Sequence, residues 1–280
     1  MAAFRRVKSK DDLLVKEEGA DFDYRVRAFE KTASSQISLW HDIPLYPFAK
    51  SRQDRVVNMV NEIPKCSRKK YEIATKEACN PIKQDVKDGA LREFKKGDLY
   101  FNYGCLPRTW ENPDHEHPDA KACGDNDPLD VCEIGMKILS VGEVCSVKIL
   151  GVLCLIDEGE ADWKLIAIST HDPWCDLLND VGDLESKLPG MVNAVREWFR
   201  TYKMADGKPE NKFGLEGKCM GADYAMSIID DCHQEWRKLV LSGDGDETLR
   251  EEGSTSLGGG IKRNLSFPKL NLEDLIDGGQ

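Results

Sequence analysis

Short segments rich in β-branched and aromatic residues dominate the chain between residues 37 and 170. Six of them are separated from one another by glycine, proline, asparagine or aspartate: 37–46, 56–64, 69–76, 98–107, 144–157 and 163–170. Segments of this length, composition and punctuation are typical of β-strands. Their spacing favours a small closed or nearly closed barrel, because closure leaves no strand edge unpaired.

Two later segments have the apolar spacing of helices. Apolar residues recur every three or four positions over 190–203 and again over 223–240, so each segment presents one apolar stripe. The sequence therefore predicts the α+β class, with a barrel and at least two helices packed on it.

Composition changes near residue 241. The segment 241–280 is rich in glycine, serine and charge, and it ends on spaced apolar residues at 265–276. We predict one domain over 1–240, followed over 241–280 by a linker and a flexible C-terminal tail. We expect 265–276 to dock on the domain or on a partner.

The overall charge limits the kinds of partner. The 280 residues carry a formal net charge of −11, which argues against binding nucleic acid or an anionic membrane. No apolar stretch is long enough to span a membrane, and the first residues lack a secretory signal. The ten cysteines form no CxxC pair, so they indicate reduced thiols and a cytoplasmic protein. A nuclear form is left open.

Three aspartates, Asp125, Asp127 and Asp130, lie within the stretch "DNDPLD". Pro128 favours an extended conformation at Asp127, which would place Asp125 and Asp127 on one face. Carboxylates gathered in this way suit hard divalent cations, although the spacing is not that of an EF-hand. The alternative is an aspartate-rich surface turn.

The stretch "HEH" at 115–117, with Cys123 nearby, raises the alternative of a zinc site. A polar loop is the preferred interpretation, because no second ligand pair follows at the usual spacing.

Six ordered segments resemble the soluble family I inorganic pyrophosphatases, in their animal and fungal branch. They cover roughly residues 37–240 and read "EIP…KKYEIATK", "NPIKQDVKDGALR", "NYGCLPRTWENP", "GDNDPLDVCEIG", "LIDEGEADWKLIAI" and "WFRTYKMADGKPEN". The resemblance implies a five-stranded OB-like β-barrel with packed helices and an active site at the barrel mouth.

The resemblance also implies a role for each site residue. The implied metal ligands are Asp125, Asp130, Asp157, Asp162 and Glu72. The implied catalytic residues are Asp127 as general base, with Tyr103 and Glu62. The implied substrate-binding residues are Lys70, Arg92, Lys164, Tyr202 and Lys203. Seven carboxylates then face four basic side chains, an imbalance that bound cations would offset.

The implied reaction is Mg²⁺-dependent hydrolysis of inorganic pyrophosphate to two phosphates by a metal-activated water, without a covalent intermediate. Several Mg²⁺ ions are implied, and Mn²⁺ in their place is left open. A Ca²⁺-binding or scaffold protein without turnover is the alternative, and a phosphate-release assay would separate the two.

The resemblance further implies a homodimer. The branch usually has a tryptophan where this chain has Cys66, and the segment 93–102 is shorter than usual, so we expect a weaker or differently packed dimer. Some animal members of the family resemble subunits of chromatin-remodelling complexes. This leaves an interaction role open beside catalysis.

Overall fold

The computed structural model describes residues 12–242. Apart from its first two residues, the predicted linker and tail over 241–280 lies outside the described residues. The apolar run at 265–276 lies outside them as well, and the domain boundary at residue 240 stays a prediction. Within 12–242, no helix is long and apolar enough to cross a membrane.

The described residues form sixteen strands and three α-helices. The strands are β1 (Leu13–Glu18), β2 (Arg25–Glu30), β3 (Gln36–Ile37), β4 (Val56–Ile63), β5 (Tyr71–Ile73), β6 (Ile82–Gln84), β7 (Val86–Lys87), β8 (Ala90–Leu91), β9 (Asn102–Cys105), β10 (Glu116–His117), β11 (Ala122–Cys123), β12 (Asp130–Glu133), β13 (Val144–Asp157), β14 (Glu160–Ser169), β15 (Lys212–Phe213) and β16 (Met220–Gly221). The helices are α1 (Val181–Lys187), α2 (Met191–Thr201) and α3 (Ala222–Ser242).

Five strands close into the predicted barrel. Around the barrel the order is β4-β9-β12-β14-β13, and β13 pairs with β4 to close it. All these pairs are antiparallel except β12–β14. Gly104 allows β9 to approach β4 closely, because a Cβ at that position would collide with the carbonyl oxygen of Val60. The α+β fold class with a five-stranded barrel is therefore confirmed.

A second antiparallel sheet lies beside the barrel, in the order β1-β2-β6-β5, with β3 paired to β2. Val26, Ile73 and Ile82 of this sheet share an apolar cluster with Val60 and Cys105 of the barrel. The packing fixes the ends of β5 and β6 near the barrel mouth, where several predicted site residues lie.

The two predicted helices are confirmed. α2 buries Val195, Trp198 and Phe199 in a cluster that includes Phe101 of the barrel region, and a 3₁₀-helix at Tyr202–Asp206 continues it. α3 packs on β13 and buries Ile228 in the cluster of the barrel interior.

The strand predicted over 37–46 is wrong beyond Ile37, where β3 ends. Ser38 N donates to an Asp42 carboxylate oxygen at 2.8 Å, and His41 N donates to Ser38 Oγ at 2.9 Å. These local bonds satisfy the backbone in a turn, so it does not join a sheet. The apolar residues Leu39 and Ile43 are buried from the turn.

Candidate active site

The aspartate motif forms a turn that leads into β12. Asn126 has a left-handed backbone with φ of 74°, and Asp127 N donates to Asp125 Oδ1 at 3.0 Å. The expected extended segment is therefore wrong at Asn126, where an Asx-type turn brings Asp125 and Asp127 together. Glu111 N donates to the carbonyl oxygen of Asp127 at 2.9 Å, so the loop is fixed against the segment after β9.

Lys164 lies at the centre of the site with a side chain only 2% exposed. It faces Asp130 in the parallel β12–β14 pair. Its Nζ donates to Tyr103 Oη at 2.9 Å and to the carboxylates of Asp130 and Asp162. Burial alone would lower the pKa of Lys164, but these two carboxylates outweigh burial and raise it well above its ordinary value. The side chain is therefore a buried ammonium with three partners.

Three carboxylates, Glu111, Asp125 and Asp162, form what we call the acidic side of the site. One oxygen from each lies within 4.8 Å of the others. Burial raises the pKa of Asp125 to about 7, and the charges of Asp127 and Asp130 add to the rise while Lys164 opposes it. Burial also raises the pKa of Glu111 and of Asp162 well above the ordinary value. Carboxylates placed so close favour a shared cation.

Glu111 supplies a second sign that a cation fits the acidic side. Its Oε1 accepts a hydrogen bond from Trp163 N at 2.9 Å, while its Oε2 is buried and has no hydrogen-bond partner within the described part of the chain. A buried carboxylate oxygen without a donor is costly unless a cation approaches it. The donor set, made only of carboxylates, suits Mg²⁺ or another hard divalent cation.

The basic side of the site comprises Lys70, Asp85 and Arg92. Lys70 Nζ lies 3.1 Å from Asp85 Oδ2 and 2.8 Å from Glu72 Oε2, and Arg92 also binds the Asp85 carboxylate. Their backbones are joined as well, because Asp85 N donates to the Lys70 carbonyl and Arg92 N to the Asp85 carbonyl, each at 2.8 Å. Burial opposes ionisation of Asp85, but Lys70 and Arg92 outweigh it and lower its pKa.

Tyr202 and Lys203 approach the mouth from the 3₁₀-helix that follows α2. Asp157 is the last residue of β13. Tyr202 Oη donates to its Oδ2 at 3.0 Å, and Lys203 Nζ binds the same carboxylate. Burial, followed by the charge of Asp157, raises the pKa of Tyr202, so the phenol stays protonated and able to donate.

Asp127 and Glu62 lie between the acidic and basic sides. The pKa of Asp127 rises to about 7, because its carboxyl loses water and feels Glu72 and Asp130, while Lys70 opposes the rise. Asp127 is exposed by surface area, so water screens part of this effect. Glu62 is buried, accepts from Ile73 N at 2.7 Å, and has its pKa raised by burial and then by Asp130.

All the predicted site residues thus reach one barrel mouth through contacts or electrostatic coupling. Sequence reasoning missed two residues there, Glu111 and Asp85. Glu111 lies within "NYGCLPRTWENP" and Asp85 within "NPIKQDVKDGALR", two of the segments that carry the family resemblance. Their position in these segments, and not their residue type, could have identified them. Neither His115 nor His117 belongs to a group of potential metal ligands within the described residues; both line a small cavity with Glu111 and Glu235.

Fold and site together define a class: a small-barrel enzyme whose mouth suits divalent cations and a multiply charged anion. A family model described as inorganic pyrophosphatase matches residues 59–237. The inorganic pyrophosphatase of Debaryomyces hansenii is 47% identical over 228 residues, 80% of this chain and 78% of that protein. The chain belongs to the soluble family I inorganic pyrophosphatases, in the eukaryotic branch, and is an inorganic diphosphatase.

Solved structures agree with this assignment. The inorganic pyrophosphatase from T brucei brucei has a TM-score of 0.79 and 43% identity, over 83% of this chain and 72% of that one. An N-terminally truncated Trypanosoma cruzi vacuolar soluble pyrophosphatase in complex with PPi has a TM-score of 0.77 and 44% identity, over 81% of this chain and 91% of that one.

Proposed function

We propose that this chain hydrolyses inorganic pyrophosphate to two phosphates in a Mg²⁺-dependent reaction, with water as the nucleophile and no covalent phosphoenzyme. The observation that carries the proposal is the meeting of the acidic side with basic side chains at one barrel mouth. Membership of the family, and a similar structure in complex with PPi, support the choice of substrate.

The residues that would hold the cations are carboxylates at the barrel mouth. We propose Asp125, Asp130, Asp157, Asp162 and Glu72 as ligands, and we add Glu111 because its Oε2 is buried and accepts no hydrogen bond from residues 12–242. When bound, Mg²⁺ neutralises substrate charge and lowers the pKa of a coordinated water. Mn²⁺ has the same preference for oxygen ligands and is expected to substitute.

The basic residues bind and orient the anion. Pyrophosphate carries about three to four negative charges near neutral pH, so an approaching nucleophile needs that charge offset. We assign its oxygens to Lys70, Arg92, Lys164, Lys203 and Tyr202. In the structure these groups are held by carboxylates such as Asp85, which keeps them at the mouth in an ordered arrangement.

Asp127 is proposed as the general base that takes a proton from the attacking water. A raised pKa suits this task, because a base works best when its pKa lies near the working pH. Tyr103 and Glu62 are proposed to assist: Tyr103 through its bonds to Asp130 and Lys164, and Glu62 by holding β5 at the mouth through the hydrogen bond that it accepts from Ile73 N.

A phosphate-release assay with pyrophosphate tests the proposal. We expect rapid release with Mg²⁺, loss of release with a chelator, and recovery when excess Mg²⁺ is restored. A metal-binding protein without turnover would bind Mg²⁺ or Ca²⁺, as measured by calorimetry, but release no phosphate above the uncatalysed rate.

The family resemblance also leads us to propose a homodimer, and the ten cysteines without a CxxC pair lead us to propose a cytoplasmic protein. Cys66, at the position where tryptophan is usual, is exposed, and its backbone is fixed by a bond from Cys66 N to the Leu99 carbonyl at 2.7 Å. Sedimentation at micromolar concentration should show a species near twice 31.5 kDa. A single 31.5 kDa species would contradict the dimer. Membership of a chromatin-remodelling complex stays a prediction.

A further inference from the structure

The turn that joins β13 to β14 carries a residue that its backbone disfavours. Asp157 pairs with Glu160, so Glu158 and Gly159 form a two-residue loop, with φ of 55° and 100°. Positive φ at both positions is the requirement of a type I′ turn, where Asn-Gly and Asp-Gly are the favoured pairs. A glutamate in the left-handed region is strained, since its Cβ crowds the backbone.

A second turn in the chain has the same form and the favoured residues. Lys87 pairs with Ala90, and the loop between them is Asp88–Gly89, with φ of 52° and 76°. Asp88 is exposed. The backbone geometry alone therefore does not call for glutamate at position 158, and the longer side chain needs another explanation.

The side chain of Glu158 reaches two lysines outside its own hairpin. Its Oε1 accepts from Lys203 Nζ at 2.9 Å and also binds Lys208 Nζ. Lys203 is 12% exposed and lies between Glu158 and Asp157, whereas Glu158 and Lys208 lie further out towards solvent. The three residues form a chain of charges, Lys208–Glu158–Lys203, that ends at the barrel mouth. An aspartate or asparagine at position 158 is one methylene shorter than glutamate.

We propose that Glu158 is a positioning residue that holds Lys203 for binding pyrophosphate, and that Lys208 holds Glu158 from the outer side. This inference rests on the proposed role of Lys203 in binding phosphate oxygens. Asp157, the other carboxylate that binds Lys203, is also a proposed metal ligand. A bound cation would draw on the same carboxylate, which leaves Glu158 as the acid that fixes the ammonium group.

The variant Glu158→Asn tests the proposal, because it improves the turn while removing the contact with Lys203. We expect a melting temperature equal to or above that of the wild type. We expect KM for pyrophosphate to rise by about fivefold to tenfold, with kcat changed by less than about twofold, since a partly exposed ionic hydrogen bond is lost. Asp88→Asn makes the same type of change in the matched turn and should alter neither constant.

A double-mutant cycle with Lys203→Met identifies the route of the effect. If Glu158 acts through Lys203, Glu158→Asn should raise KM no further in the Lys203→Met background. The proposal is overturned if Glu158→Asn keeps the wild-type KM, or if its effect persists undiminished without Lys203. A wild-type KM for Lys203→Met alone would instead overturn the proposed role of Lys203, so the two failures are distinguishable.

Lys208→Met supplies an independent measurement, in case Glu158→Asn unexpectedly lowers the melting temperature. This change leaves the turn intact and removes only the outer partner of Glu158. We expect KM to rise by about twofold to fivefold, and we expect no added rise in the Glu158→Asn background. An unchanged KM, or a rise that simply adds to that of Glu158→Asn, would contradict the proposed chain of contacts.

Discussion

The acidic and basic sides of the barrel mouth bring charges together in opposite proportions. On the basic side, one carboxylate, Asp85, is shared by two cations and has a lowered pKa. On the acidic side, three carboxylates meet near one ammonium, Lys164, which is already bound to Asp130 and Asp162. The two cations of the basic side bind carboxylates of the chain itself, Asp85 and, for Lys70, also Glu72, whereas the acidic side needs a cation from solution.

The comparison shows where binding and stability oppose each other. Carboxylates buried at close range repel one another in the metal-free protein, and this repulsion lowers the free energy of unfolding. The same arrangement favours binding of a divalent cation. A cation that binds only the folded state would raise the free energy of unfolding again. Asp85, in contrast, contributes to stability whether or not a metal is present.

The largest expected effect comes from Asp127, which lies between the two sides. Asp127→Asn should lower the single-turnover rate by about 10² to 10⁴, or roughly 3 to 5 kcal/mol of barrier, because it removes the proposed general base. Mg²⁺ affinity should stay near that of the wild type. The measurement is the rate and the Mg²⁺ affinity on one preparation, as a function of pH.

Asp130→Asn is the matched control, since it removes a proposed metal ligand three residues along the chain. We expect it to weaken Mg²⁺ binding by about tenfold or more as well as to slow the reaction. If Asp127→Asn loses as much Mg²⁺ affinity and recovers full rate at saturating metal, its role as a base is wrong.

A second prediction concerns stability: replacing one carboxylate by an amide should have opposite effects on the acidic and the basic side. In metal-free buffer at pH 8, Asp125→Asn should raise the free energy of unfolding by about 1 to 2 kcal/mol, after allowance for screening by solvent. Asp85→Asn should lower the free energy of unfolding by about 1 to 3 kcal/mol, because it leaves Lys70 and Arg92 without their shared carboxylate. Denaturant unfolding of both variants measures the two changes.

The pH dependence of these differences follows from the two pKa shifts. The folded-state pKa of Asp125 is raised to about 7, so its contribution to stability is fully present below the unfolded value of 3.8 and is lost as pH rises through about 7. The advantage of Asp125→Asn should therefore grow as pH rises from 3.8 to about 7 and level off above that. The pKa of Asp85 is lowered, so its contribution persists above its unfolded value and is lost only as pH falls through its folded value. Saturating Mg²⁺ should remove the advantage of Asp125→Asn. Equal signs for the two variants would refute the contrast between the sides.

The smallest effect is expected from removal of the predicted tail, which contains no proposed site residue. Deletion of residues 242–280 should leave the rate of pyrophosphate hydrolysis within about twofold of the wild type, because every proposed site residue lies before Ser242. A loss of more than tenfold would contradict the peripheral role predicted for this segment.

Sequence patterns predicted the long barrel strands more reliably than the short elements. The strand predicted over 144–157 coincides with β13, whose apolar run is long and β-branched. The helix α1 was not predicted, because its few residues bury only Leu184 and it starts from a single cap, Asp180, that accepts from Val181 N. The strand β12 was not predicted either, because its residues Asp130–Glu133 were interpreted only as part of the aspartate motif.

The candidate site could be assigned from sequence only where the family resemblance supplied a role. No local pattern predicts that Lys164 lies opposite Asp130, since that contact depends on a parallel strand pair between distant segments. Glu111 and Asp85 were missed because each is one acid among fifty in the sequence. What separates them from the rest is burial and partners, which arise only from the fold.

The parallel pairing of β12 with β14 also has a consequence for how the protein folds. The β13–β14 hairpin joins neighbouring segments and can form early, but Asp130 meets Lys164 only when β12 pairs with β14 and the barrel closes. Closure of such a loop carries an entropic cost before the contact forms. The contact between Asp130 and Lys164 therefore requires the closed barrel. We expect the return of enzymatic activity during refolding to report closure more directly than the return of strand content.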